Sequence, residues 1–152
     1  MPIVISDALA LTLESATDAD YPVICWDNLI TSSNVAASET EATGYPESNL
    51  ANPSTVQLWK SSTTVTQYLT VTLGAAQTLS YLGVARPNFA AAGTTLTVQI
   101  DPGTGIWEDV AGPQIPGDDS PLLFVFEETT ATGIRLKIEN ATIAPQAAVL
   151  SV

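Results

Sequence analysis

Tyr68-Leu69-Thr70-Val71-Thr72-Leu73, followed by Gly74, is the stretch on which the fold turns. Leu69, Val71 and Leu73 fall on one side and Tyr68, Thr70 and Thr72 on the other, the period-two pattern of a half-buried antiparallel strand. Gly74 reads as the strand's end. The same alternation recurs downstream. Leu96, Val98 and Ile100 alternate with Thr95, Thr97 and Gln99, and Asp101-Pro102-Gly103 supplies turn chemistry before Ile106-Trp107 resumes, which predicts a hairpin. Ile134, Leu136 and Ile138 alternate with Arg135, Lys137 and Glu139, placing both cations on a solvated strand face.

Other short β-branched or alternating runs complete the set: Pro22 to Cys25, Leu79 to Ala85, Thr94 to Ile100, Leu122 to Phe126 and Ala147 to Val152. No window shows the 3.6-residue apolar spacing of an amphipathic helix. Dense strands without intervening helices predict an all-β fold, a two-sheet sandwich rather than α/β. The polar, turn-rich segment from Ser32 to Ser54 is expected to form irregular loops over one end of that sandwich. An acidic arm, residues 1–34, packed on the domain or on a neighbour, is expected to precede a sandwich spanning 35–152.

Composition narrows the chemistry. The chain has no histidine, so the usual general base and commonest transition-metal ligand are missing. Cys25 is the sole cysteine, which excludes an intrachain disulfide and a CxxC site; within Pro22-Val23-Ile24-Cys25-Trp26 it reads as a small buried hydrophobe. Sixteen acids face only Lys60, Arg86, Arg135 and Lys137, a net charge of −12 that repels phosphate backbones and anionic lipid headgroups. Neither nucleic acid nor a membrane is therefore expected as a partner. The first twenty residues lack a basic region and a long apolar run, so neither a signal peptide nor a membrane span is expected.

Residues 37–50 (ASETEATGYPESNL), the step Trp59-Lys60-Ser61-Ser62 and residues 67–74 (QYLTVTLG) together resemble the discoidin, or factor V/VIII C-type, domains of the galactose-binding-like group. Residues 77–88 (QTLSYLGVARPN) are similar to that family's next strand, and Thr94 to Ile100 to the one after it, so the resemblance runs from Val35 to Val152. It implies an eight-stranded jelly-roll-like sandwich that serves adhesion or assembly without catalysis. The opening PIVISDALALTL and the segment GYPESNLANPSTVQLWKS further resemble discoidin-type proteins of tailed bacteriophages. Such relatives usually continue past the final strand, which implies a chain that is the sandwich portion alone or is completed by a partner.

Four residues are the candidate ligand or partner contacts: Tyr45, Trp59, Arg86 and Asn88. Tyr45, between Gly44 and Pro46, is either a projecting amphipathic contact or a packed loop anchor. An indole at Trp59 can stack on a sugar ring, but the resemblance implies packing beneath the loops. Arg86 and Asn88, at a strand end, offer a guanidinium fork and an amide to vicinal hydroxyls or a sugar carboxylate, against the alternative of an Arg86 salt bridge. Trp26 and Trp107 are interface or core candidates. Asp101-Pro102-Gly103 and Asp118-Asp119-Ser120 read as turns rather than Ca²⁺ ligands, and Glu127-Glu128 cannot flank one bond as strand neighbours. No metal, cofactor or catalytic residue is expected.

The leading expectation is a structural virion protein of a phage tail tip or baseplate, made in the host bacterial cytoplasm. It would assemble in symmetric copies with other phage tail proteins. The alternative is a carbohydrate-binding module that attaches to a host surface glycan.

Overall fold

In the computed structural model, residues 3–5 and 28–152 are described. The expected strand at Pro22 to Cys25, the burial of Cys25 and the role of Trp26 lie outside these residues, as does most of the 1–34 arm. Among the described residues nine strands follow in order: β1 (Ile3–Ile5), β2 (Val35–Ala37), β3 (Trp59–Lys60), β4 (Gln67–Ala85), β5 (Thr95–Asp101), β6 (Glu108–Gln114), β7 (Leu122–Glu139), β8 (Gln146–Ala147) and β9 (Val149–Ser151). A 3₁₀ turn spans Glu47–Ala51.

The architecture is the expected all-β sandwich, with nine strands among the described residues where the family resemblance implies eight. Two of its strands each do the work of two. β4 does not stop at Gly74: it runs on to Ala85 and joins the segments expected as Tyr68 to Leu73 and Leu79 to Ala85. β7 likewise joins Leu122 to Phe126 with Ile134 to Ile138. The two pair antiparallel from Gln67↔Ile138 to Val84↔Leu122, with register shifts between Thr72 and Gln77 and between Leu79 and Tyr81. Residues 74–76, exposed and outside the paired register, let the paired ribbon fold over while its ladder resumes at Gln77. The strand therefore continues through Gly74 rather than ending there.

The fold-over produces two layers. One is β2, the first half of β4, the second half of β7, β5 and β6; the other is β9, the second half of β4, the first half of β7, and β1, which pairs parallel with Leu123–Val125. Antiparallel β3 and β8 form a small separate sheet. Leu69, Val71, Leu96, Val98, Ile134, Leu136 and Ile138 from the first layer and Leu82, Val84, Phe124 and Phe126 from the second meet in one buried cluster. These are the inward positions of the alternating pattern, so burial of branched and aromatic side chains fixes the register.

The Ser32 to Ser54 segment is more ordered than expected, since it contains β2 and the 3₁₀ turn, with Val35 and Leu50 buried. The turn after β5 forms: Asp101 Oδ1 accepts the amides of Gly103, Thr104 and Gly105 at 2.8, 2.9 and 2.9 Å. β6 begins at Glu108, however, leaving Ile106 exposed and Trp107 outside the ladder. Among the described residues no helix is long and apolar enough to cross a membrane.

Candidate functional site

Because β4 and β7 both fold over at one end, the long connections gather at the other. Segments 38–66, 86–94, 115–121 and 140–145 all leave strand ends there. Hydrogen bonds tie these loops to one another. Ser61 N donates to Pro145 O at 3.0 Å, and Thr142 N to Ala92 O at 2.8 Å. Asp119 Oδ1 accepts the amides of Ala90 and Ala91 at 2.9 and 3.1 Å. Asp119 thus fastens one loop to another, and Asp118 Oδ1 closes a local turn on Ser120 N. The turn reading holds for Asp118, while Asp119 serves as a link between loops. The Ser120 bonds hold the Asp118 carboxyl below its ordinary value. Loops cross-linked in this way are arranged before any ligand arrives, which lowers the ordering cost of binding.

The four candidate residues all sit at this end, with different surroundings. Trp59 is completely buried, with β3 carrying it under the loops opposite Ala147, so it supports the end rather than presenting a ring. Asn88 is a clamp: its Nδ2 donates to Ala144 O at 3.1 Å and its Oδ1 accepts Gln146 N at 2.8 Å. Tyr45 projects, 41% exposed, while its carbonyl accepts the amide of Lys60. Arg86 is exposed, and its Nη1 donates to Thr55 O at 2.6 Å. No carboxylate among the described residues pairs with Arg86; the ion pair found there is Lys137 Nζ to Glu139 Oε2 at 2.9 Å. Arg86 also has φ +49° directly before Pro87, a left-handed backbone that a non-glycine residue adopts at a cost of about 1–3 kcal/mol. Such strain is kept where a fold over-determines the position, and it turns this side chain out of the strand line.

Two features of this end were not legible beforehand. Glu41 and Glu47 come together beside Tyr45, with Glu47 N donating to Glu41 Oε2 at 3.0 Å. The side-chain hydrogen bond to Glu47, and then partial burial, raise the Glu41 carboxyl above its ordinary value. Their six-residue separation carries no periodic signal. Val56, Val65, Ile115 and Ile143 are also exposed in these loops. Among the described residues no three acids or thiols gather as a metal-binding group. A shallow open groove of about 370 Å³, lined by Thr31, Ser32, Ser48, Ala51, Asn52 and Pro53, lies beside the 3₁₀ turn and includes none of the four candidates.

On the outer face of the first layer the solvated-face reading needs correction. Lys137 is half-buried in its pair with Glu139, but Arg135 does not extend into water. Its guanidinium lies 4.2 Å from the ring centroids of both Tyr68 and Trp107. Trp107 is therefore neither core nor free surface.

Exposed aromatic and guanidinium groups on a preformed loop end suit a polyol: a ring face stacks on the C–H face of a pyranose, and N–H donors meet its hydroxyls. A sequence model of the F5/8 type C domain family matches residues 32–149. No curated protein matches the chain. Among solved structures, chitosan-binding module 1 of a chitosanase/glucanase from Paenibacillus sp. IK-5 is 23% identical with a TM-score of 0.69, over 82% of this chain and 97% of that one. The CBM32 module of AlyQ in complex with 4,5-unsaturated mannuronic acid is 19% identical with a TM-score of 0.64, over 85% and 97%. A CBM32 module from Clostridium perfringens in complex with GalNAc-β-1,3-galactose is 14% identical with a TM-score of 0.64, over 82% and 98%. At these identities the likeness is one of fold.

Proposed function

The chain belongs to the F5/8 type C domain family, and on that premise we propose that it is a non-catalytic carbohydrate-binding module whose loop end holds a glycan. The observation that carries this reading is Arg86, exposed, without a carboxylate partner among the described residues and held in a strained conformation on the same loop end as exposed Tyr45. Tyr45 supplies the stacking surface and Arg86 the donors. Trp59 and Asn88 act beneath them by fixing the loops. The sugar-binding modules of like fold support the reading by analogy.

This reading places attachment ahead of assembly as the function. That the module is displayed on a phage tail tip or baseplate, in symmetric copies beside other tail proteins, is a further part of the proposal; its support is the likeness of the PIVISDALALTL and GYPESNLANPSTVQLWKS segments to phage proteins. Calorimetric titration with chitosan, alginate and galactose-containing oligosaccharides tests the binding claim. Saturable binding that Arg86→Ala weakens at least about tenfold, with the fold intact, supports it. Binding to none of these, or binding indifferent to both Arg86→Ala and Tyr45→Ala, refutes it.

A further inference from the structure

The outer face of the first layer carries a second arrangement, centred on Arg135. One rung of the sheet runs Thr70, Arg135, Gln99, Asp109 across β4, β7, β5 and β6. Arg135 Nε donates to Gln99 Oε1 at 2.7 Å, and Gln99 Nε2 in turn donates to Asp109 Oδ1. The rings of Tyr68 and Trp107 flank the guanidinium, each with its centroid 4.2 Å away. Gly133, two residues before Arg135 on the same strand, makes room for the indole: a Cβ there would lie 3.1 Å from Trp107 Cη2. The guanidinium is thus in contact with two rings and is held at Nε by an amide oxygen. Its Nη1 and Nη2 bond to no other group among the described residues.

An arginine serving only as surface charge has no need of this grip. Rotamer freedom is what a long side chain normally retains at a surface, and here two rings and an amide have removed it. The cost of ordering the side chain is met before any partner binds, and the Nη1 and Nη2 donors have no partner among the described residues. Burial lowers the Arg135 pKa, while Tyr68 and Asp109 favour its charged form. Two of the chain's four cations, Arg135 and Lys137, stand on this one face, where Lys137 pairs with Glu139 and Asp109 lies on the Arg135 rung.

We propose that the Tyr68–Arg135–Trp107 slot is a second binding site, independent of the loop end, that takes the carboxylate of an acidic sugar. The choice of anion follows from shape. A planar carboxylate can meet the guanidinium fork with two parallel N–H···O bonds. The sugar follows from the surroundings: the half-buried rings of Tyr68 and Trp107 stand at the slot, and half-buried Thr70 and exposed Thr72 place hydroxyls beside it on the Tyr68 strand.

The test follows the indole Nε1–H of Trp107 and the Nε–H of Arg135 by ¹H–¹⁵N NMR while the intact chain is titrated with trigalacturonate, neutral galactotriose, sulfate and a tetraglutamate peptide. The proposal predicts saturable shifts at both groups with trigalacturonate and none with galactotriose or sulfate. Arg135→Lys, which keeps the charge but not the fork, should weaken the response at least about tenfold. Arg86→Ala should leave it unchanged. Tyr68→Ala, which opens one wall while sparing the guanidinium, should weaken it as well and stands as the second variant if Arg135→Lys does not fold. No shift with trigalacturonate, an equal response to sulfate, or a stronger response to the peptide overturns the assignment.

Discussion

Replacing Trp59 by alanine separates a supporting role from a contact role at the loop end. The side chain is wholly excluded from solvent. A buried tryptophan removes roughly 200 Å² from water, which at about 25 cal/mol per Å² is an upper figure near 5 kcal/mol. Truncations of buried tryptophan usually cost about 3–5 kcal/mol once partial collapse of the cavity is included. With a urea slope of about 2 kcal/mol/M, Trp59→Ala should lower the midpoint by about 2 M at unchanged slope. Far-UV circular dichroism is the suitable probe, because the substitution removes a fluorophore. Tyr45→Ala is the control and should stay within about 0.5 kcal/mol of the parent, since that ring is 41% exposed. A Trp59→Ala midpoint within about 0.5 M of the parent would refute the reasoning, for it would mean that β3 and the loops above it do not rest on this indole.

Three further outcomes follow from the same geometry. Asn88→Ala removes the bridge between segment 86–94 and β8, and should cost about 1–3 kcal/mol and speed amide hydrogen exchange at Gln146, read by NMR. Gly112→Ala puts a Cβ 2.6 Å from Leu96 O at φ +98°, and calorimetry should show a loss of at least about 1–3 kcal/mol from the backbone conformation alone. The Glu41 carboxyl should titrate above the ordinary glutamate value of about 4.3. A raised folded-state value means that its contribution favours folding at low pH and is lost as pH rises through that value, so Glu47→Gln should bring the titration back down, measured by ¹³C chemical shift.

The sandwich was legible because the inward faces of β4, β5 and β7 alternate without interruption, and period two has one structural meaning where one face is buried. What misled was punctuation. Gly74 looks like a stop, yet a glycine within a paired ribbon also permits a fold-over, and sequence spacing does not tell the two apart. The candidate site was legible in its location and less so in its roles. Tyr45 and Arg86 carry the cue of a loop beside a proline, whereas the burial of Trp59 and the clamping by Asn88 depend on β8, far along the chain. Arg135 was placed on the correct face, but its partners Tyr68, Gln99 and Trp107 come from three other segments, and alternation says nothing about what a side chain meets across strands.

The claim at the centre of this account is that the loop end binds sugar. Backbone ¹H–¹⁵N NMR during titration with the oligosaccharide that gives the strongest calorimetric signal tests it most directly. The account predicts saturable shifts concentrated in residues 41–47, 55–60 and 86–91, and their loss in Arg86→Ala. Shifts confined to the groove beside the 3₁₀ turn, or no saturable shifts with any oligosaccharide at millimolar concentration, would contradict it.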